Sequence, residues 1–411
     1  MAAYNEAGFD LFKRLAAAQG NIAYSPYSVG TAMAMALSGA RGATEAEMAK
    51  VLRQTLPRAA MEDENASVLA TLNGYDKSAV PPQCPTGTTL QGGQCKGPRT
   101  GDGCEFPGRP EGKQCVAPPR YAPSAKLAVA NSLMLTKAGE NISADYIALV
   151  KSKYGAEIFR KAGLAEVNTW VKRKTEGKIE KILDVLDPSA KAVLLNAVYF
   201  KAAWLSVFDK RNTSDEDFNL SATNKARVPM MHRTASYAVA TRPGFRAVRL
   251  PYAVPSLGMI VVVPEAIDGV NELAAQFDAA KLADLKADLR SQRVELALPR
   301  FKVSSSADLI PPFQAAGMKL AFSDNADFSG MTGRPVSEGS LKIGQIAHRA
   351  VVEVDEGGTE AAAATAIVMM PTSAMPTQPP MPFKVDRPFL FFLVDDATGA
   401  ILFQGRINDP R

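Results

Sequence analysis

The run AVLLNAVYF at residues 192–200 is apolar at every position except Asn196. A strand with one wet face alternates apolar and polar residues, because successive side chains point to opposite faces. No such alternation occurs here, so the run reads as a strand buried on both faces. The chain must then build a sheet with packed material on either side. GMIVVVP (258–264) and VELALPRFKV (294–303) read as further strands. RPFLFFLVDDATGAILFQGRI (387–407) reads as two strands around an Asp-Asp-Ala-Thr-Gly turn.

The first 75 residues have a helical rhythm, with Tyr4, Leu11, Phe12 and Leu15 at matching spacing. Ser25-Pro26 marks a helix start, with proline in the first turn where its missing N–H costs nothing. Thr44 with Glu47 resembles a capping box opening ATEAEMAKVL. KLAVANSLML (126–135) reads as a strand and SADYIALVKSKYG (143–155) as a helix. VNTWVKRKTEGKIEKIL (167–183) reads as an amphipathic helix whose lysines and Arg173 form a solvated face. The sum is one α+β domain over residues 1–411, helices mostly first and long strands later, with no internal repeat evident.

Between residues 76 and 123 apolar periodicity vanishes and Pro and Gly crowd in, which marks a loop or insertion. All four cysteines, Cys84, Cys95, Cys104 and Cys115, lie inside it. Neighbour pairing would staple two small loops, but three connectivities are open to four cysteines. A zinc site lacks its C-x-x-C pair and any nearby histidine. Disulfides imply an oxidising compartment, so an extracellular, secreted protein is expected, or a periplasmic one. The start MAAYNEAGFDLFKRL lacks the charged leader and apolar core of a signal peptide.

The composition, 46% hydrophobic and 22% charged, is that of a globular protein. The net charge of +5 is small for 411 residues and its cations are spread out, so nucleic acid is not indicated. No apolar run approaches the length of a membrane span. Only two histidines exist, His232 and His348, and there is no G-x-S-x-G, H-E-x-x-H, P-loop or G-x-G-x-x-G after a strand. His348 sits in the alternating pattern IAHRAVVEV and reads as a core histidine; His232 reads as a surface or packing residue. An enzyme is disfavoured, and nothing calls for a metal or cofactor.

Several segments together resemble the serpins, the serine protease inhibitors that trap their targets. They are AYSPYSVGTAMAMALSGARGATEAEM, LLNAVYFKAAW, LALPRFKV with DFSGMT, HRAVVEVDEGGTEAAAATA, and RPFLFFLVDDATGAILFQGRINDP, all in family order. The resemblance implies three β-sheets, eight or nine helices and an exposed reactive-centre loop, here residues 356–387. It places Ser25, Pro26, Ser28, Asn196 and His348 in the shutter, where the central sheet parts, and Trp204 at the breach, where insertion begins. It makes Glu356, Gly357, Gly358, Thr359, Glu360, Ala361, Ala362, Ala363 and Ala364 the hinge of the loop. It implies a target serine protease held as a covalent acyl complex, and a monomeric inhibitor.

The stretch GGTEAAAATAIVMMPTS (357–373) suits that role. On an inserting strand Thr359, Ala361, Ala363, Thr365 and Ile367 would share one face, all small or apolar, while Glu360 carries the only charge on the other. Counting along the loop as in inhibitory serpins makes Thr372–Ser373 the bond offered to the protease. Met370 or Met375 is the alternative, because the segment from Thr372 to Arg387 is long and proline-rich for the family. No Arg or Lys occurs between Glu356 and Phe383, so an elastase-like or subtilisin-like pocket fits better than a trypsin-like one. The rival expectation is a serpin-fold carrier, chaperone or interaction protein that does not inhibit.

Overall fold

The Ala192–Ala203 strand is buried along almost its whole length and lies inside a six-stranded sheet. The structure is a computed structural model. It describes residues 1–17, 19–77, 124–136, 142–186, 190–338, 341–359 and 379–411. Within the inserted segment it describes 83–84, 87–91, 94–100, 103–104, 109–111 and 113–117. The central sheet runs in the order Phe301–Asp308, Ile343–Val354, Gly358–Thr359, Ala192–Ala203, Ala125–Leu135, Glu157–Arg160. Its two faces are covered by different helices. Leu194, Leu133 and Ile346 join the core of Met33, Met35 and Leu37 from the helix Pro26–Gly39. Val193, Leu195 and Ala197 point the other way, into a core with Val167, Trp170 and Val171 of the helix Leu164–Lys174. The lack of alternation in AVLLNAVYF follows from this double cover.

A second, nine-stranded sheet packs behind the upper part of the first. The 18-residue strand Lys225–Arg242 runs through it, pairing with Phe245–Pro251 at one end and with Arg290–Pro299 over most of its length. The closing strands Phe389–Asp395 and Ala400–Ile407 form the expected hairpin toward one end of it, between Ile22–Tyr24 and Leu257–Pro264. A third sheet of five short strands lies in the cysteine-rich segment, which is therefore more than a loop. Its disulfides pair neighbours, Cys84–Cys95 and Cys104–Cys115. Ten α-helices occur among the described residues, one more than the upper expectation, and Ser329–Thr332 is a single turn.

Two local readings need correction. The Thr44–Glu47 capping box does not form, since the helix begins at Gly42 without a side-chain cap. Thr44 instead accepts the Asp327 N–H (2.9 Å), and Glu47 accepts the N–H groups of Lys319 and Leu320. Tertiary partners won over local ones. The amphipathic helix ends at Lys174 rather than near residue 183, because Glu176 and Gly177 take positive φ and reverse the chain. Ile179, Ile182 and Leu183 still reach the core, from an irregular segment.

Candidate functional site

The strands Ala192–Ala203 and Ile343–Val354 are parallel and bond directly from the Ile343–Ala192 pair to the Val351–Tyr199 pair. Past Tyr199 they part, and Gly358–Thr359 enters the gap antiparallel to both. Thr359 pairs with Val354 on one side and Ala202 on the other. A strand continuing down this seam would exchange one parallel ladder for two antiparallel ones, which are the more stable per residue.

A tight turn aims the wedge. The Asp355 carboxylate accepts the N–H groups of Gly357 (2.8 Å) and Gly358 (3.2 Å), and the Asp355 N–H donates to the Gly358 carbonyl (2.9 Å). Gly358 is required, since a Cβ there would lie 2.1 Å from the Ala202 carbonyl oxygen. The Trp204 indole donates to the Asp355 carbonyl (3.0 Å), and the Trp204 backbone N–H donates to the Gly357 carbonyl (2.9 Å). Its ring stacks on Tyr252 at 4.5 Å. The Tyr252 hydroxyl meets the Thr359 hydroxyl at 2.6 Å, with Thr359 fully buried.

Glu356 is only 2% exposed, yet it keeps a charged partner. One carboxylate oxygen accepts from the Thr213 hydroxyl (2.6 Å), from Arg300 Nε (2.7 Å) and from Arg300 Nη2. Burial pushes its pKa up, but the Arg300 and Thr213 bonds outweigh that and hold it below the usual carboxylate value.

Lower down, the residues expected in the shutter converge on the same seam. Ser25 caps the helix Pro26–Gly39, accepting the Ser28 N–H (3.1 Å), with Pro26 in the first turn, and its hydroxyl donates to the Leu402 carbonyl (2.6 Å). The Asn196 amide donates to the Ser28 hydroxyl (2.6 Å), the Ser28 carbonyl (2.9 Å) and Asn131 Oδ1. Its oxygen accepts from His348 Nδ1 across the seam, where the two residues are in register. His348 is buried, and loss of water pushes its pKa down to about 3, against a smaller opposite effect of the Asn196 bond. The ring is therefore neutral, and Nε2 has no partner among the described residues.

His232 is half-buried and pairs with Glu216 (2.6 Å), which also takes Lys384 (2.6 Å). Neither histidine meets a serine hydroxyl among the described residues.

Of the expected loop, Glu356–Thr359 are built into the body, and Met381–Lys384 forms an edge strand parallel to Arg290–Pro299. Pro382 is tolerated there because an edge strand can lack a donor. Glu360, Ala361, Ala362, Ala363, Ala364, Met370, Thr372, Ser373 and Met375 lie outside the described residues. Sequence reasoning missed Asp355, Tyr252, Arg300, Thr213 and Asn131. Asn131, a lone polar residue amid KLAVANSLML, carried a signal; Tyr252 carried none.

A mixed fold with a central sheet open to its own chain at one end defines a narrow class of protein. The family model for serpins, serine protease inhibitors, matches residues 2–91 and 112–410. A serpin-like protein of Thermococcus kodakarensis is 32% identical, over 100% of this chain and 85% of that protein. Human Serpin B3 is 32% identical over 98% and 97% of the two chains, and pig leukocyte elastase inhibitor 30% over 100% and 99%. Among solved structures, the thermophilic serpin tengpin in its native state matches with TM-score 0.79 and 26% identity, covering 99% of this chain and 94% of that one. Human thyroxine-binding globulin with thyroxine matches the fold at TM-score 0.77 and 24% identity, covering 100% and 98%. The chain belongs to the serpin family. Serpins are protease inhibitors rather than catalysts, and the relatives of this chain include one named as an elastase inhibitor.

Proposed function

We propose that the protein is an irreversible, suicide-substrate inhibitor of serine proteases of the elastase or subtilisin kind. The observation that carries this reading is the seam with Gly358–Thr359 already lying antiparallel to both of its strands. The protease serine attacks the Thr372 carbonyl, the Thr372–Ser373 bond breaks, and the new Ser373 amine leaves. Met370 and Met375 are the alternative points of attack. The loop, still esterified to the protease through its new carboxyl end, continues down the seam and carries the protease with it. Strand addition by a cut loop is the switching transition characteristic of serpins, so this step follows the family. The native state is then held by a kinetic barrier rather than by lowest free energy.

Roles follow from position. Glu356 to Ala364 is the hinge, and Glu360 stays on the polar face. Trp204 guards the breach. Ser25, Pro26, Ser28, Asn196 and His348 form the shutter, whose Asn196–His348 bond must break as the strand passes. We take residues 1–411 as one domain, with 76–123 inserted and 356–387 as the reactive loop. We place it as a monomer outside the cell or in the periplasm, a reading supported by its two disulfides.

The test is incubation with neutrophil elastase, pancreatic elastase and subtilisin, followed by denaturing electrophoresis. An SDS-resistant complex with lost protease activity is expected. Plain cleavage of the loop by all three, with activity intact, would leave the carrier role instead.

A further inference from the structure

The cysteine-rich insert contains an internal repeat, which corrects the reading of a chain without one. Cys84 and Cys104 are each joined to a cysteine eleven positions later, inside Gly92-Gly93-Gln94-Cys95 and Gly112-Lys113-Gln114-Cys115. The strand pairings repeat with the same offset of twenty. Thr89 pairs with Lys96 as Arg109 does with Val116, Leu90 with Cys95 as Pro110 with Cys115, and Gln91 with Gln94 as Glu111 with Gln114. The two hairpins then pair with each other through Cys95–Ala117, Lys96–Val116, Gly97–Cys115 and Pro98–Gln114. Exchanging the repeats returns the first three of these pairs, so a pseudo-two-fold axis passes through Lys96–Val116. Cys95, Cys115 and Val116 are buried around that axis. The segment is thus a duplicated, disulfide-stapled hairpin with a small core of its own.

Its root is closed and sits beside the hinge. The Ala125 N–H donates to the Tyr75 carbonyl (3.0 Å) and the Lys77 N–H to the Ser124 hydroxyl (2.8 Å), so both ends of the insert leave from one point. The Tyr75 hydroxyl is held by Asp395 (3.0 Å) and Ser256 (3.0 Å). Ala125 pairs with Ala202, which pairs on its other side with Thr359. The root is therefore two strand spacings from the hinge, roughly 10 Å. A folded unit of about 35 residues is roughly 22 Å across, and a protease of about 230 residues roughly 45 Å. The loop is carried by that hinge, and a protease is wide compared with the separation between hinge and root.

We propose that this duplicated unit is a selectivity element, a disulfide-stapled surface that the attacking serine protease must meet before it cuts the loop. The claim rests on the reading of the loop as protease bait, and it adds which proteases reach that bait. Contacts favour a protease whose rim fits the unit, and collisions exclude one whose rim does not.

The test measures the second-order rate of loop attack by pancreatic elastase, neutrophil elastase and subtilisin. It compares the intact chain, a chain with residues 78–123 removed, and the intact chain reduced with a phosphine. Reduction addresses the insert alone, because all four cysteines lie in it, and hydrogen exchange verifies that its strands have opened. Should the deletion fail to fold, the reduced chain gives the same readout. The rates are expected to change unequally, with the ratio between two of the proteases moving by about tenfold or more. A common factor for all three, or no change, overturns the proposal. Failure of the inhibitor reading is separate: the intact chain would then be cut without forming an SDS-resistant complex, while the rates of cutting still report on the insert.

Discussion

His348 is the residue whose chemistry is most constrained by its surroundings. Burial lowers its pKa from 6.5 to about 3, so between those values the unfolded chain takes up a proton that the folded chain refuses. Stability contributed by the neutral ring is full above pH 6.5 and falls as the pH drops through that window, by up to about 1.4 kcal/mol per unit. Urea midpoints between pH 7 and pH 4 should show this slope, and His348→Gln should flatten it. An equal slope in the variant would place the titration elsewhere. Arg300→Ala tests the neighbouring site. It leaves the buried Glu356 carboxylate with the Thr213 hydroxyl as its remaining side-chain donor and should cost about 2 kcal/mol, read as a lower urea midpoint. Glu356 was legible as a hinge residue by resemblance; its partner was not, since charges distant in sequence meet only after folding.

At the scale of the element, the hinge must change from a two-residue wedge into a long strand. Thr359 is buried with its hydroxyl on that of Tyr252, whose ring stacks on Trp204. Thr359→Arg would force a cation into that buried site and into the growing strand. It should convert the inhibitor into a substrate, with the loop cut and little SDS-resistant complex on a gel; undiminished complex would contradict this reading of the wedge. Elements with a clear period were legible in advance, among them the Ser25-Pro26 helix and the closing hairpin. The helix expected over 167–183 was overextended because charged residues keep a helical spacing past Gly177, where the backbone turns back. The inserted hairpins were illegible because too few apolar residues alternate, and two disulfides staple a segment with little apolar core.

Over the whole molecule, α+β composition and the double-buried strand foretold a covered sheet, and resemblance supplied the rest of the topology. What the sequence could not show is how far the chain has already entered the seam, because that depends on Gly358 fitting against Ala202 and on Asp355 closing its turn. The central claim is that the loop completes this insertion once cut. A strand of about ten residues gains on the order of ten ladder hydrogen bonds, worth roughly 10 kcal/mol in all. For a chain of this length that corresponds to a rise in melting temperature of about 10 °C or more. The direct measurement is the thermal unfolding midpoint before and after protease cleavage within residues 360–378. The account predicts a rise of that size; an unchanged or lower midpoint would contradict it.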